Sequence, residues 1–408
     1  MSIALLMQLL ATLACGPMSA DRGSFVARDS SGIRLVQNAS PEWTPDSAWQ
    51  LDSVPFLSFG SIGVAEGDST QLLTQVMSAT RLAADTIVLV NAGTAEVRWY
   101  DSTGHLIRSV GRKGAGPAEF SQYGPGTLCR MPGDRIVVGD PMQQRAHIFT
   151  TTGEFVQVIR VASNAVFPSV QGCFSDGSLL GWHSSGPAER IPGRIIESHF
   201  TWTRLAADGS PLTELLTLPG AQQYLLDQGN GIATYHAIPF TVRPSAAAAT
   251  DRVYVAPGAT PVIQMRGLDG ALQSLIRWKP EALTRSEDVL AQFRSYMVDN
   301  QGSPERRAAW EKFFDLKVAI PPEIATVQSL VVDDLSHLWV ERYRLPWDSV
   351  PRWEVFDPDG RWLGELTLPT EFRPMHIGTD FVLGVSRGEL GVERIQLHRL
   401  QRKDGTRS

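Results

Sequence analysis

The sequence has few of the residues that most often carry metal or covalent chemistry. Its 408 residues include 3 cysteines and 8 histidines. None of them forms a Cys-x-x-Cys or His-x-x-x-His pair, the spacings typical of zinc sites. There is also no Gly-x-Ser-x-Gly segment, the nucleophile motif of the α/β-hydrolases. The sequence therefore predicts no metal site, no cofactor and no catalytic serine.

Clustered charge and long apolar runs are equally scarce. The net charge is -6, with both signs spread along the chain, whereas nucleic-acid binding calls for a clustered basic face. The apolar run at residues 1–14 is too short to cross a bilayer as a helix. It has the length of an export-signal core but lacks the preceding Lys or Arg. We therefore expect no nucleic-acid partner, and contact with a membrane only through a lipid anchor.

The N-terminal segment carries the one addressing signal. Residues 12–16 read TLACG, which is similar to the cleavage box of bacterial lipoproteins, although Thr12 stands where Leu is usual. Three alternatives remain open: lipidation of Cys15, conventional cleavage near Ala20, or a buried or mis-started N-terminus. We expect a leader over residues 1–20, a polar tether over 21–48 and a location in the periplasm or on the outer membrane, lipid-anchored or secreted.

What the sequence does contain is a six-fold repeat. Each copy begins with a short apolar strand that follows a turn residue, at 85–90, 134–139, 176–181, 251–256, 336–340 and 380–385. Each copy then closes a hairpin at Gly104, Gly153, Gly209, Gly270, Gly360 or Gly405, four of them preceded by Asp. Glycine takes the positive φ of such turns at no steric cost. Since one four-stranded sheet cannot bury both faces alone, the repeat predicts an all-β fold, a six-bladed β-propeller over residues 49–403.

The spacing of the repeats places the blades and their insertions. We expect blades at residues 77–113, 125–161, 168–218, 234–278, 325–368 and 373–403, followed by a tail at 404–408. A Gly-, Pro- and Arg-rich excursion covers Ser184 to Ile196. A longer one, at 279–322 before blade five, has capping-box spacing from Thr284 to Glu287 and an N-cap with proline at Ser303-Pro304. Apolar residues recur there at helical period, which predicts a helical hairpin.

Ring closure follows from counting strands. Blade six has three recognisable strands before the chain ends at Ser408. The segment 49–60 has strand composition and precedes the first blade. We expect part of Leu51 to Gly60 to pair with the strand at Glu393 to Arg399, because this would remove an exposed sheet edge.

Two cysteines occupy nearly equivalent places in consecutive blades. Cys129 lies four residues before Gly133, and Cys173 lies four before Gly177. They are candidates for a disulfide if their Cα atoms approach within about 7 Å. The alternative is a pair of small apolar core residues.

The linker after blade one carries a family resemblance. Residues 111–120 read GRKGAGPAEF, and similar stretches occur at 338–343, 384–385 and 391–394. They resemble the bacterial 6-bladed β-propeller family, distant relatives of the NHL-repeat proteins, over residues 49–403. Ala118 stands where that family has Gly, which implies that position 118 does not need positive φ. The resemblance implies an exported or lipid-anchored protein without an assigned reaction.

Candidate site residues lie at strand ends, where blades share a rim. Trp182 and His183 follow a strand of blade three, and Arg342, Tyr343 and Arg344 follow one of blade five; aromatic residues with Arg are typical of recognition surfaces. Related folds include calcium-dependent lactonases with axial Asn, Asp and Glu ligands, for which the candidates here are Asn91, Asp140 and Glu341. Asp140 also suits an ordinary turn. His236 and His376 are candidates for a metal shared across blades.

The sequence thus favours a non-catalytic binding or scaffold propeller of the cell envelope, a monomer whose ligand is an unknown protein, glycan or small molecule. The alternative is a hydrolase or lyase that acts at the axial channel and could use calcium.

Overall fold

The computed structural model describes residues 24–60, 71–161, 166–186, 191–229, 231–388 and 391–403. The expected leader at 1–20 with Cys15, and the expected tail at 404–408, lie outside these residues. The first four strands are β1 (Phe25–Ser30), β2 (Ile33–Asn38), β3 (Gln50–Leu51) and β4 (Leu57–Phe59). Each of them joins a sheet that is otherwise built from strands much later in the chain.

Six sheets make up the described part of the chain. The first contains β5 (Val76–Arg81), β6 (Ile87–Asn91), β7 (Glu96–Tyr100) and β8 (Leu106–Val110). The second contains β9 (Leu128–Met131), β10 (Arg135–Asp140), β11 (Arg145–Thr150) and β12 (Phe155–Arg160). The third contains β13 (Val166–Cys173), β14 (Leu179–Ser185), β15 (Ile195–Leu205), β16 (Pro211–Gly229) and β17 (Ile232–Ala237).

The remaining sheets follow the same meander. The fourth contains β18 (Ser245–Ala248), β19 (Arg252–Ala256), β20 (Val262–Gly267) and β21 (Leu272–Arg277), extended by β2 and β1. The fifth contains β22 (Val327–Val332), β23 (Leu338–Arg342), β24 (Arg352–Phe356) and β25 (Trp362–Thr367). The sixth contains β26 (Phe372–Ile377), β27 (Phe381–Arg387) and β28 (Glu393–Gln401), with β3 and β4 beside β28. The fold is an all-β β-propeller.

Strands β3 and β4 join the last sheet, as the sequence predicts. In β4, Phe59 lies opposite Ile395 and Leu57 opposite Leu397, in antiparallel register. In β3, Leu51 lies opposite Leu400. β3 and β4 therefore supply the outer strand of the sixth sheet, and they cover the edge of β28.

The expectation of a polar tether over residues 21–48 is wrong. β1 and β2 form an antiparallel hairpin, and β2 runs parallel to β21. Val36 is completely buried, and the Asn38 side chain donates to the carbonyl oxygens of Arg277 and Gly360 at 3.2 and 3.0 Å. The physical reason is that β21 would otherwise be an open outer edge, and the hairpin covers it.

The hydrophobic core lies between neighbouring sheets. One cluster joins Leu89 and Tyr100 of the first sheet to Leu383 and Ile395 of the sixth, with Phe59 of β4 between them. Gly104 allows this approach: its φ is +85°, and a Cβ there would lie 2.9 Å from the ring of Phe59. The repeated hairpin glycine therefore serves the turn and also the packing of the closing strand.

Two helices lie between β21 and β22. α1 (Glu287–Asp299) begins after Ser286, whose hydroxyl accepts from the Val289 N–H, so the capping box expected from Thr284 is not used. α2 (Pro304–Asp315) begins with Ser303 as N-cap and proline in the first turn, as the sequence predicts. Their buried residues include Phe293 and Phe313. Phe313 packs on Leu226 of β16 and on His236 of β17, so α2 rests on the third sheet. Phe293 of α1 packs instead with Phe240 and Ile324.

The linker at residues 111–120 departs from expectation at one position. Ala118 has a φ of +54°, so the inference that this position does not need positive φ is wrong. The turn is held by the Glu119 carboxylate, which accepts from the Gly116 N–H at 2.8 Å and from the Arg112 guanidinium. These bonds fix the backbone around Ala118, and they outweigh the modest cost of the left-handed conformation for a residue with a Cβ.

Candidate binding site in the axial channel

A channel runs where the six sheets converge. Its cavity of about 300 Å³ is lined by one strand from each sheet, namely β5, β9, β13, β18, β22 and β26, called the first strands below. The lining residues are Ala79 and Thr80, Leu128 to Arg130, Gln171 to Cys173, Ala246 to Ala248, Leu330 and Val331, and Met375 and His376. Each first strand has a neighbour within its sheet on one side. Its other edge faces the axis, so backbone N–H and C=O groups as well as side chains are open to the channel.

Small residues keep this channel open. Ala79, Gly172, Ala247 and Ala248 stand at positions where a bulky side chain would fill the axis. Gly172 also lets two sheets approach, because a Cβ at this position would lie 2.7 Å from the Cβ of Ala248. Three alanines, Ala246 to Ala248, thus line the channel, whereas Ala249 packs in the core.

The structure joins Cys129 and Cys173 by a disulfide at the channel wall. Their Cα atoms are 5.6 Å apart, within the range that a disulfide requires. Cys129 belongs to β9 and Cys173 to β13, so the bond links the second and third sheets across their inner strands.

One group of charged side chains lies beside the channel, contributed by three different sheets. The Arg130 guanidinium donates to the Asp334 carboxylate, and Asp334 Oδ2 lies 3.0 Å from His376 Nε2. Burial by itself would raise the pKa of Asp334. The hydrogen bonds from His376 and Arg130, together with the positive charge of Arg130, outweigh that effect and hold the pKa of Asp334 at about 2. Asp334 is therefore a carboxylate at any physiological pH.

The His376 ring is engaged at both nitrogens. Its Nδ1 accepts from the Arg81 backbone N–H at 3.0 Å and lies 3.3 Å from the Thr80 hydroxyl. The proton of a neutral ring is then on Nε2, which donates to Asp334. Phe381 contacts the ring edge-on at 5.1 Å between centroids. In this arrangement His376 has no free lone pair with which to act as a base on a ligand.

Arg130 is the most accessible member of the group. Its side chain is 46% exposed, against 28% for Asp334 and 10% for His376. Within the described residues, Asp334 is its one hydrogen-bonding partner. A guanidinium has five N–H donors in a planar fork, so Arg130 retains donors that a ligand in the channel can reach.

The residues expected at strand ends of the third sheet belong to a different region. Trp182 stacks on Phe200 at 5.4 Å in a hydrophobic cluster with Trp202. Next to it, burial lowers the pKa of His183, partly offset by the charge of Glu214. Trp182 therefore acts mainly as a packing residue.

The expected residues of the fifth sheet also have internal partners. Arg342 donates to Glu365 at 2.9 Å and to the Glu281 carbonyl oxygen. Tyr343 packs against Phe293 under α1, and burial raises its pKa. Arg344 lies 3.4 Å from Glu341. Tyr343 and Trp182 belong to separate hydrophobic clusters, so the structure does not assemble these five residues into one site.

The three candidate calcium ligands have their oxygens engaged. Asp140 is completely buried; its carboxylate accepts from the backbone N–H of Ser121 at 2.8 Å and of Gln143 at 3.3 Å. The Asn91 side-chain oxygen accepts from the Thr74 N–H at 2.7 Å. Glu341 accepts from the Ser329 hydroxyl at 2.7 Å. Asp140 is thus a turn cap, the ordinary alternative that the sequence allows.

The two histidines proposed to share a metal are not together. His236, on β17, stacks on Phe313 of α2 at 5.4 Å between ring centroids. His376 lies at the channel. No group of three or more His, Cys, Asp or Glu suited to hold a metal ion occurs in the described part of the chain.

Sequence reasoning missed Arg130 and Asp334. Arg130 directly follows the disulfide cysteine near the end of β9, and Asp334 lies just after β22, in the turn to β23. Both therefore lie where the first strand of a sheet ends. That position in the repeat was the available signal. Large aromatic and Arg residues at the ends of the second strands, such as Trp182 and Arg342, gave a stronger sequence signal.

Comparison with known proteins finds only distant structural similarity. No protein-family model and no curated sequence matches this chain. Among solved structures, a protein described as exported from Bacteroides fragilis aligns with 91% of this chain and 99% of its own, at 12% identity and a TM-score of 0.48. A DUF4221 family member from Bacteroides vulgatus aligns with 87% of this chain and 99% of its own, at 10% identity and a TM-score of 0.46.

Virginiamycin B lyase from Staphylococcus aureus is a further likeness, at 8% identity and a TM-score of 0.41, covering 87% of this chain and 99% of its own. Likeness at this distance transfers neither ligand nor reaction. Among the helices that the structure describes, none combines the length and apolar character needed to cross a membrane.

Proposed function

We propose that this chain is a six-bladed β-propeller of the bacterial cell envelope that binds a small polar molecule bearing a carboxylate in its axial channel, without transforming it. The blade count rests on the six sheets, each of which contributes its first strand to the channel wall. The propeller domain comprises residues 49–403 together with the β1–β2 hairpin, and the segment 279–322, which contains both helices, is an insertion before the fifth blade. The envelope location rests on the apolar run at 1–14 and the Cys15 box.

The observation that carries the proposal is the Arg130, Asp334 and His376 group. Arg130 offers accessible donors in a cavity of about 300 Å³, at the lower end of the range for small-molecule sites. Arg pairs with carboxylates through two parallel hydrogen bonds. Asp334 fixes the guanidinium from one side, so it is pre-positioned for a ligand on the other.

The engagement of His376 favours binding over catalysis. A general base needs a free lone pair directed at the substrate, and both ring nitrogens are used within the protein. The alternative, a hydrolase or lyase acting in the channel, requires His376 to leave the Arg81 N–H. Turnover of p-nitrophenyl acetate that disappears in the His376→Ala variant, with the fold retained, would favour the enzyme.

Calorimetric titration with a matched pair of probes tests the proposal. Succinate and succinamide have nearly the same shape, but succinamide lacks the charge. Succinate should bind saturably and at least about tenfold more tightly, the difference expected for a charge-assisted hydrogen bond. Arg130→Gln should abolish that preference. Arg135→Gln, which removes an exposed guanidinium at the start of β10, should preserve it. Equal binding of both probes, or no effect of Arg130→Gln, contradicts the proposal.

A further inference from the structure

A second cavity lies between the two helices and shares no lining residue with the channel. It has a volume of about 410 Å³, within the range of small-molecule sites. Residues of α1, the C-terminal end of α2 and the segment that follows α2 line it. Because the helices are an addition to the sheets, this cavity is independent of the channel in both position and lining.

The inner walls of this interhelical cavity are apolar. Leu290 of α1 and Phe313 and Phe314 of α2 face Val318 and Ile320 of the following segment. Phe313 is 1% exposed and anchors the wall against Tyr224 and Leu226 of β16. Leu290, Phe314 and Ile320 are partly exposed, so covering them with an apolar ligand gains free energy, at roughly 25 cal/mol per Å².

The rim carries an excess of positive charge. Arg285, Arg294 and Lys317 line the cavity, with Glu287 as the one acidic lining residue. Arg294 is neutralised by Asp315, to which it donates at 2.8 Å. Neither Arg285 nor Lys317 has an ion-pair partner within the described residues. Two cations against one carboxylate give the rim a net positive charge, which favours an anion.

An unsatisfied donor points to the same conclusion. The Nε atom of Arg285 is buried and has no hydrogen-bond partner among the described residues. A buried donor that is charged and unpaired is costly. Among the described residues the other guanidinium nitrogens of Arg285 make no hydrogen bond either, and because Arg285 lines the cavity they can donate to an anionic oxygen bound there.

We propose that the interhelical cavity binds an amphipathic anion, an acyl chain with a carboxylate. The acyl chain lies against Leu290, Phe314 and Ile320, and the carboxylate accepts hydrogen bonds from Arg285 at the rim. This site goes beyond the channel ligand and does not depend on it, so the Arg130→Gln variant should bind the amphipathic anion as the unaltered protein does.

Calorimetric titration of the full chain with three ten-carbon probes tests the assignment, each below its micellar concentration. Decanoate should bind saturably. Decyltrimethylammonium, a cation, and decyl maltoside, a neutral molecule, should each bind at least about tenfold more weakly, because they cannot accept charge-assisted bonds at Arg285. Equal affinity for the anion and the cation would overturn the assignment.

Matched variants locate the site. Arg285→Gln and Lys317→Gln should each weaken decanoate about tenfold or more and leave decyl maltoside unchanged. Arg306→Gln removes a charge from the exposed surface of α2 outside the cavity and should change nothing. Lys317 is exposed, so its variant keeps the test decisive if Arg285→Gln fails to fold. A loss in Arg306→Gln as large as in Arg285→Gln, or no saturable decanoate binding, would overturn the proposal.

Discussion

Removal of one buried side chain from the closing strand should destabilise the closed ring. Phe59 is 7% exposed, its ring lies 4.6 Å from that of Tyr100, and it packs into the cluster that joins the first and sixth sheets. Replacement of a buried Phe by Ala typically costs about 3–5 kcal/mol. We expect about 3 kcal/mol for Phe59→Ala, because its short strand can partly relax.

The effect on melting follows from the size of the domain. At about 2.1 cal/mol/K per residue over roughly 355 residues, the unfolding entropy is about 0.75 kcal/mol/K, so Phe59→Ala should lower the melting temperature by about 4 °C. Phe56→Ala is the matched control, since Phe56 is 50% exposed and its removal should shift melting by less than about 1 °C. Scanning calorimetry measures both. Equal melting of the two variants would refute closure by β4.

Three further perturbations test other parts of the structure. Replacement of Cys129 and Cys173 by Ser opens a loop of 44-residue separation and should cost about 4 kcal/mol; reductant should lower the melting temperature of the unaltered protein equally and leave the variant unaffected. Burial raises the pKa of Glu354 to about 7, with the charge of Glu365 adding to the rise. Since the unfolded chain ionises near pH 4.5, stability should fall by up to about 3 kcal/mol as pH rises from about 4.5 to 7, and Glu354→Gln should flatten this slope in melting against pH. Val36→Ala truncates a completely buried side chain of β2 and should lower the melting temperature, whereas Val26→Ala, on β1 and 43% exposed, should change it by less than about 1 °C; equal melting of the two variants would show that the hairpin is not docked.

The strand order could be predicted because the signal is local and repeated. The expected first blade at 77–113 corresponds to β5 through β8, Val76 to Val110. The closing strand β4 could be predicted because the sixth blade lacked a fourth strand, and not from a pattern within β4 itself. The β1–β2 hairpin could not be found in this way, because the fourth blade already has four strands. The contact that shows its docking, from Ser274 Oγ to the Arg34 carbonyl oxygen, spans 240 positions of sequence.

The channel group was beyond sequence reasoning for the same reason. Arg130 and Asp334 are 204 positions apart, and Asp334 and His376 are 42 apart. Their approach depends on the curvature of the closed ring, which a strand pattern does not specify. Trp182 and Tyr343 drew attention by size and chemistry, yet bulky aromatic side chains at strand ends are often used for packing. Small residues at the inner strands, such as Gly172 and Ala247, were the better indication of open space.

A crystal structure of the full chain with succinate tests the central claim most directly. The account predicts succinate in the axial channel, with a carboxylate oxygen about 2.7–2.9 Å from the Arg130 guanidinium and with His376 still bonded to Asp334 and to the Arg81 N–H. Succinate bound elsewhere, or a channel closed by side chains of the first strands, would contradict it.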